Sequence, residues 1–281
     1  MAIIMDGKAL AAKMKAGFRA EVGGLPRRPG LAVILVGENP ASKVYVRNKE
    51  KDCEECGIAS QEYKLPENTP EDMLLELIDT LNRSSTADGI LVQLPLPKQI
   101  DEKKIINAIA PDKDVDAFHP VNVGHIMTGD FTFLPCTPAG IMRLLDEYKI
   151  DVAGKNCVVL GRSNIVGKPM AMLLLHRNGT VTICHSKTAD IKAEARRADI
   201  LVSAIGKTGI VTGDMIKPGA VVIDVAMNRN AEGKLCGDCV FSEVEKTASY
   251  ITPVPGGVGP MTRVMLMQNT IAAAKAHQGI K

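Results

Sequence analysis

Cys157-Val158-Val159-Leu160-Gly161-Arg162-Ser163-Asn164-Ile165-Val166-Gly167-Lys168-Pro169 joins a short apolar run to a glycine turn and then to the apolar helical pattern Met170, Met172, Leu173, Leu174. Strand, glycine turn and helix in that order are what a dinucleotide site needs. Glycine permits a tight turn and a close backbone approach, and the helix start offers N–H groups to a pyrophosphate. The second and third glycines of the usual spacing are displaced or replaced, with Ser163 and Gly167 nearby. The turn alone therefore leaves a purely structural reading open beside the dinucleotide one. The end of the next strand discriminates further. An NAD site carries Asp or Glu there, about 20 residues after the first glycine, to hold the ribose 2′-hydroxyl. Here Thr182-Ile183-Cys184 leads to His185-Ser186-Lys187 without an acid. Arg162 and Ser186, with Lys187, suit a 2′-phosphate, so NADP is the physical preference; Lys187 reads equally well as a solvated surface charge.

Outward from this turn, the second half of the chain repeats the α/β pattern. Strands are expected near 156–160, 180–184, 199–202 and 221–225, with a helix from Val166 to Arg177 and a last helix from Pro260 to His277. The first half has the same character. Leu10, Met14, Phe18 and Val22 mark a helix over 7–22, and Leu31 to Val36 is a continuously apolar run typical of a strand buried on both faces. Ser42 is a candidate N-cap for a helix reaching Cys56, 58–65 reads as a strand, and Thr69-Pro70-Glu71-Asp72, a cap oxygen followed by proline and acids, starts a helix to Arg83. A strand from Gly89 to Leu94, a helix over 101–110, a loop from Phe118 to Pro138 and a helix over 139–148 complete it. The fold class is α/β: two α/β domains around a cleft, each with a mainly parallel sheet, the second Rossmann-like. Expected boundaries are 1–148 for the first domain, completed by a C-terminal helix over 261–281, and 149–260 for the second.

Tyr45 and Lys49 are four apart on one face of the first half's second helix. Gln93 ends its third strand, at the edge where such sheets bind ligands, and is followed by Leu94-Pro95-Leu96-Pro97. Asp116, in Asp112-Lys113-Asp114-Val115-Asp116-Ala117-Phe118-His119-Pro120, could accept two hydrogen bonds from an amidine-like heterocycle edge such as a pterin's. Taken singly, each has a plainer reading: a solvated lysine, or a solvated acidic turn.

Composition narrows the class. With 34 basic and 32 acidic side chains, no Trp and 3% aromatics, neither a phosphate-backbone footprint nor a stacking platform is present, so nucleic acid is not an expected partner. The segment from Met1 to Asp6 is too short for a secretory signal, and no apolar run approaches the roughly 20 residues that span a bilayer. The cytoplasm is the expected compartment. Seven cysteines, an odd number, fit free thiols. The pairs Cys53/Cys56 and Cys236/Cys239 have Cys-x-x-Cys spacing but not the setting of a zinc knuckle, so no metal is expected.

Taken together, the helix with Tyr45 and Lys49, Asp88-Gly89 to Pro97, the loop from Lys113 to Asn122, Pro135-Cys136-Thr137-Pro138, the Gly161 turn and Pro255-Gly256-Gly257-Val258-Gly259-Pro260-Met261-Thr262 carry a resemblance. The chain resembles the bifunctional methylenetetrahydrofolate dehydrogenase/methenyltetrahydrofolate cyclohydrolase family over essentially its full length. The resemblance implies NADP-dependent oxidation of 5,10-methylenetetrahydrofolate and hydrolysis of the methenyl product to 10-formyltetrahydrofolate. It implies that Lys49 has the principal polar role, tuned by Gln93, with Tyr45 beside the aminobenzoyl region and Asp116 anchoring the pterin. Gly256, Gly257 and Pro260 pass close to folate, and Gly161, Arg162, Ser163, Ile165, Gly167, His185, Ser186 and Thr137 serve the cofactor. A Lys49 partly desolvated at a domain cleft would have a lowered pKa suited to proton transfer. Homodimers are the family's habit. Ala117, Ala226 and Cys239 depart from its pattern, which has glycine at the first two and valine at the third. A dehydrogenase lacking appreciable cyclohydrolase activity and a non-catalytic nucleotide-binding protein remain as alternatives.

Overall fold

The computed structural model describes residues 1–280, and for Ala41 the backbone alone. The first half runs β1 (Ile3–Ile4), α1 (Gly7–Gly23), β2 (Gly30–Val36), α2 (Pro40–Cys56), β3 (Ala59–Leu65), α3 (Glu71–Arg83), β4 (Gly89–Val92), α4 (Glu102–Ala108) and α5 (Pro120–Thr128). There follow α6 (Cys136–Glu147), β5 (Asn156–Leu160), α7 (Gly167–His176), β6 (Thr180–Cys184), α8 (Ile191–Arg196), β7 (Ile200–Ser203) and a 3-10 turn at Gly213–Met215. The rest is β8 (Val221–Asp224), β9 (Asn228–Arg229), β10 (Leu235–Cys236), α9 (Phe241–Thr247), β11 (Tyr250–Ile251) and α10 (Val258–His277).

The chain divides into two compact units, one of Lys13–Leu134 with Arg263–Lys281, the other of Met1–Ala12 with Pro135–Thr262. The division falls elsewhere than the expected 1–148 and 149–260. The first residues join the second unit because β1 pairs in parallel with β11, and because Gly7 lies so close to the Gly257 carbonyl that a Cβ there would come within 1.9 Å of its oxygen. Helix α6 joins it too, packing on α7 and, at Gly140, on Met261 of α10.

In the Lys13–Leu134 unit the sheet order is β3-β2-β4, all parallel, with Leu31–Ile34 in register with Gly89–Val92. Every residue of β2 is buried, as its unbroken apolar run requires. Leu74, Ile78 and Leu81 of α3 close one face over Ala32, Ile34 and Ile90. The other unit has a six-stranded parallel sheet in the order β1-β11-β8-β7-β5-β6. Its chain leaves β5 for β6 on one side and then crosses to β7 on the other, so the order reverses between β5 and β7. Ligands bind such sheets at that reversal, beyond the carboxyl ends.

Two local expectations are corrected. The loop expected from Phe118 to Pro138 contains α5, started by Pro120 at its first turn, capped by His119 Nδ1 accepting from Val121 N, and ended by Gly129 at φ 80°. The Thr69 hydroxyl does not cap α3; it donates to Pro66 O at 2.7 Å, and α3 begins after Pro70 without a side-chain cap.

Asp88, 1% exposed, anchors the start of β2 and the end of α10. Arg27 donates to both its oxygens at 2.6 and 2.9 Å, Gly30 N donates at 2.8 Å, and His277 Nδ1 lies 3.1 Å away. Burial pushes this carboxyl up, but the Arg27, Gly30 and His277 contacts outweigh it and hold the group below the usual carboxylate range. Its contribution to stability is therefore present above the unfolded-state pKa and lost as pH falls through the lower folded one. Arg27→Ala is expected to destabilise the protein at pH 7 by about 2–3 kcal/mol, the low side for stripping a buried carboxylate because Arg27 is partly exposed. Urea unfolding across pH checks it: the deficit should shrink in acid as Asp88 protonates.

Candidate active site and dinucleotide pocket

Within the Lys13–Leu134 unit, α2 leaves the carboxyl end of β2 and carries Tyr45 and Lys49 one turn apart. Gln93 follows β4 directly; its backbone N–H donates to Ile34 O at 2.9 Å, so it still belongs to the sheet end. Its side-chain Nε2 donates to Leu94 O at 2.8 Å, which fixes the amide orientation and turns Oε1 outward. Lys49 Nζ donates to that Oε1 at 3.0 Å. The half-buried amine is thereby held on a neutral amide oxygen. Tyr45 is 36% exposed on the same helix. Helix α2 is itself pinned by buried Asp52, which meets Lys15 Nζ at 2.9 Å and Arg263 Nη1 at 3.1 Å, drawing α1 and α10 onto the turn that follows Lys49.

Asp116 reaches the same sheet end by a different route. The chain pairs in parallel with β4 at Ile90 and Asp114, then turns, with Ala117 N donating to Asp114 O at 3.0 Å. Buried Asp114 accepts from His119 N at 2.7 Å and Asn122 Nδ2 at 2.8 Å; burial raises its carboxyl above the ordinary range despite these bonds. Asn269 Nδ2 of α10 clamps the turn by donating to Val115 O at 2.8 Å and Leu134 O at 2.9 Å. Ala117, where the resembling family has glycine, sits in the left-handed region at φ 56°, so its methyl is accommodated at a conformational cost of about 1 kcal/mol. Asn269→Ala removes a donor from the buried Val115 carbonyl and the part-buried Leu134 carbonyl. A melting temperature lowered by several degrees is expected from thermal unfolding.

In the other unit a cavity of about 440 Å³ opens at the carboxyl ends of β5, β6 and β7. Gly161, Arg162, Ser163, His185 and Ser186 line it, as the sequence suggests, together with Ile191, Ala204, Ile205 and Lys207. No acid is among the lining residues. Gly161 has φ +125°, and a Cβ there would lie 2.5 Å from Ala204 O. Gly167 is required by contact: its Cβ would lie 2.2 Å from Gly161 O. The helix start is less open than expected, since Ser163 Oγ accepts from Val166 N at 3.2 Å and Gly167 N at 3.3 Å. At the end of β6, His185 N donates to Thr188 Oγ1 at 2.9 Å and Lys187 N donates to His185 Nδ1 at 3.1 Å, which closes the turn that presents Ser186.

Other residues expected at the cofactor (Ile165, Thr137) and at the folate (Gly256, Gly257, Pro260) lie apart from this lining. Ile165 is 42% exposed, and Thr137 in α6 shares a 2.9 Å hydroxyl bond with Thr262 of α10. Gly256, at φ 112°, accepts at its carbonyl from Lys8 N at 2.9 Å, Gly257 N donates to Pro253 O at 2.8 Å, and Pro260 stands in the first turn of α10. The segment from Ala204 to Lys207 was missed in the sequence, although it leaves the third strand of a β5-type series and so belongs at the ligand edge.

Burial pushes the Cys53 and Cys56 thiols up to about 12, and Cys239 is raised as well by burial beside Asp224. Among the described residues no group of three or more His, Cys, Asp or Glu side chains could hold a metal ion, and no helix is long and apolar enough to cross a membrane.

Comparison with known proteins places these features in a family. Residues 5–116 match the model for the tetrahydrofolate dehydrogenase/cyclohydrolase catalytic domain, and residues 135–278 match that for its NAD(P)-binding domain. The bifunctional protein FolD of Ruminiclostridium cellulolyticum is 59% identical over 280 residues, covering 99% of both chains. The crystal structure of the bifunctional enzyme FolD, a methylenetetrahydrofolate dehydrogenase/cyclohydrolase from Campylobacter jejuni, is 50% identical with a TM-score of 0.97, covering 98% of this chain and 99% of that one. The Trypanosoma brucei methylenetetrahydrofolate dehydrogenase-cyclohydrolase, solved with NADP cofactor and inhibitor, is 40% identical with a TM-score of 0.94, covering 98% of each chain. The chain belongs to the tetrahydrofolate dehydrogenase/cyclohydrolase family.

Proposed function

We propose that this protein carries out two consecutive steps on one folate: NADP-dependent oxidation of 5,10-methylenetetrahydrofolate to the 5,10-methenyl form, and hydrolysis of that form to 10-formyltetrahydrofolate. One observation carries the chemical assignment within this family: the half-buried Lys49 amine is held on the Gln93 amide oxygen at 3.0 Å. The residues of the β5–β7 cavity fit NADP, with Arg162 and Ser186 for the 2′-phosphate, no competing carboxylate, and Gly161 and Gly167 leaving the backbone bare where a Cβ would intrude. When bound, NADP+ supplies the acceptor for the hydride that leaves the bridging carbon.

The chain's own side chains divide the remaining work. Asp116 anchors the pterin edge, Tyr45 lies against the aminobenzoyl region, and the Gly256-Gly257 turn with Pro260 passes along the folate. Thr137, Ser163, Ile165 and His185 complete the cofactor contacts. The oxidation asks mainly for alignment, because the substrate carbon is already iminium-like as the hydride departs. Hydrolysis asks for proton handling: water adds to the one-carbon bridge and loses a proton, then the bond to N5 opens as that nitrogen is protonated and the hydroxyl proton leaves. Lys49 Nζ holds and returns that proton, and Gln93, by accepting one N–H, directs the rest of the amine towards the substrate.

The same proposal places the protein in the cytoplasm, in keeping with seven free cysteines, and as a homodimer, which light scattering of the purified protein tests. The deciding assay supplies 5,10-methylenetetrahydrofolate with NADP+ or NAD+ and follows absorbance of the methenyl product. Appearance with NADP+ in preference to NAD+, then decay to 10-formyltetrahydrofolate, is expected. No methenyl product with either nucleotide would end the proposal, and a persistent methenyl signal would leave only its first half.

A further inference from the structure

The Gly237-Asp238 dipeptide is explained by neither site, yet it holds one of the most heavily bonded side chains in the protein. Asp238 is 0% exposed, and its carboxylate accepts five hydrogen bonds. Oδ2 takes Ser203 Oγ at 2.8 Å, Ile205 N at 2.8 Å and Gly206 N at 3.3 Å, while Oδ1 takes Lys207 N at 2.7 Å and Asn228 Nδ2 at 3.1 Å. Three of these donors are consecutive backbone amides of the segment leaving β7. That segment is a wall of the dinucleotide cavity, lined by Ala204, Ile205 and Lys207. It has left the sheet ladder, so its N–H groups need acceptors from elsewhere, and one side chain supplies them.

Asp238 is itself held from behind. Buried Asp224, at the end of β8, accepts from Asp238 N at 2.9 Å and Cys239 N at 2.8 Å. Its carboxylate fills the space beside residue 237, where a Cβ would lie 1.9 Å from Asp224 Oδ2, so only glycine fits there. Two carboxylates in series thus pass the position of β8 to the wall of the cavity.

We infer that Asp238 is a positioning residue for the dinucleotide: it shapes the Ala204–Lys207 wall and so sets NADP affinity without itself contacting the cofactor. The inference rests on reading that cavity as the NADP site. Asp238→Asn preserves volume but converts one acceptor atom into a donor. Whichever oxygen is replaced, at least two of the five bonds then set N–H against N–H.

The test titrates NADP+ into the wild type and Asp238→Asn by calorimetry, and measures methenyltetrahydrofolate hydrolysis on the same preparations without NADP. Asp238→Asn is expected to raise the Kd and KM for NADP+ at least about tenfold, while the hydrolysis rate stays within about twofold. In a folded Asp238→Asn protein, NADP+ binding and hydrolysis weakened in equal proportion would overturn the inference, as would an NADP+ affinity within about twofold of wild type. A wild type that bound no NADP+ would instead remove the reading of the cavity. If Asp238→Asn does not fold, Ser203→Ala and Asn228→Ala each remove one donor and are expected to weaken NADP+ by about two- to fivefold; unchanged affinity in both overturns the inference.

Discussion

Lys49→Met is expected to lower the cyclohydrolase rate by about 10²- to 10⁴-fold, the usual worth of a positioned acid–base group, and the dehydrogenase rate by much less. Methionine keeps the length and most of the volume of the lysine stem, so α2 stays seated on Asp52, Lys15 and Arg263. Gln93 stays oriented too, because its Nε2 bond to Leu94 O does not depend on Lys49. What disappears is the one nitrogen held at Gln93 Oε1. Hydrolysis moves protons at water, at N5 and at the forming carbonyl, whereas hydride departure moves none, so the two rates separate. Parallel assays on one preparation decide it; equal fractional losses in both rates would contradict the role given to the amine.

Gly161→Ala has the second large effect. The residue sits at φ +125°, a backbone conformation that side-chain-bearing residues rarely adopt, and a new Cβ would meet Ala204 O at 2.5 Å. Neither problem is relieved by a rotamer change, since both involve backbone. The turn must rebuild, and Gly167, where a Cβ would lie 2.2 Å from Gly161 O, must move with it. A loss of NADP+ affinity of about 100-fold or more is expected, corresponding to a strain of about 3 kcal/mol carried into the pocket. Hydrolysis of methenyltetrahydrofolate measured without NADP reports whether the damage stays local. NADP+ titration within a few-fold of wild type would show that the β5 turn does not shape the cofactor site.

The buried strands were the most legible part of the sequence, because a strand covered on both faces has no choice but to be apolar throughout; Leu31 to Val36 and Cys157 to Leu160 are such runs. Elements that take their stability from a distant partner left little trace. Strands β1 and β11 are two residues each and exist only by pairing with each other and with β8. Helix α5 hid behind a Gly-, Pro- and His-rich composition, though His119-Pro120 and Gly129 are serviceable start and stop signals once read together. In the candidate site, Lys49 and Gln93 were each legible as polar residues at the ligand end of a sheet. Their bond was not, since it spans 44 positions and depends on the register of β2 with β4. Asp238 was invisible for the opposite reason: its partners are mostly backbone amides, which every sequence supplies.

The pairing of Ile3 with Tyr250 also constrains how the chain is made. Strand β1 lies far before β11 in the chain, so it stays without this neighbour until the intervening residues have been synthesised, an interval on the order of tens of seconds at ordinary translation speeds. During that time two exposed isoleucines and an unpaired strand edge must be kept from other partners. The β1 segment is therefore where a holding chaperone has most to contribute during synthesis.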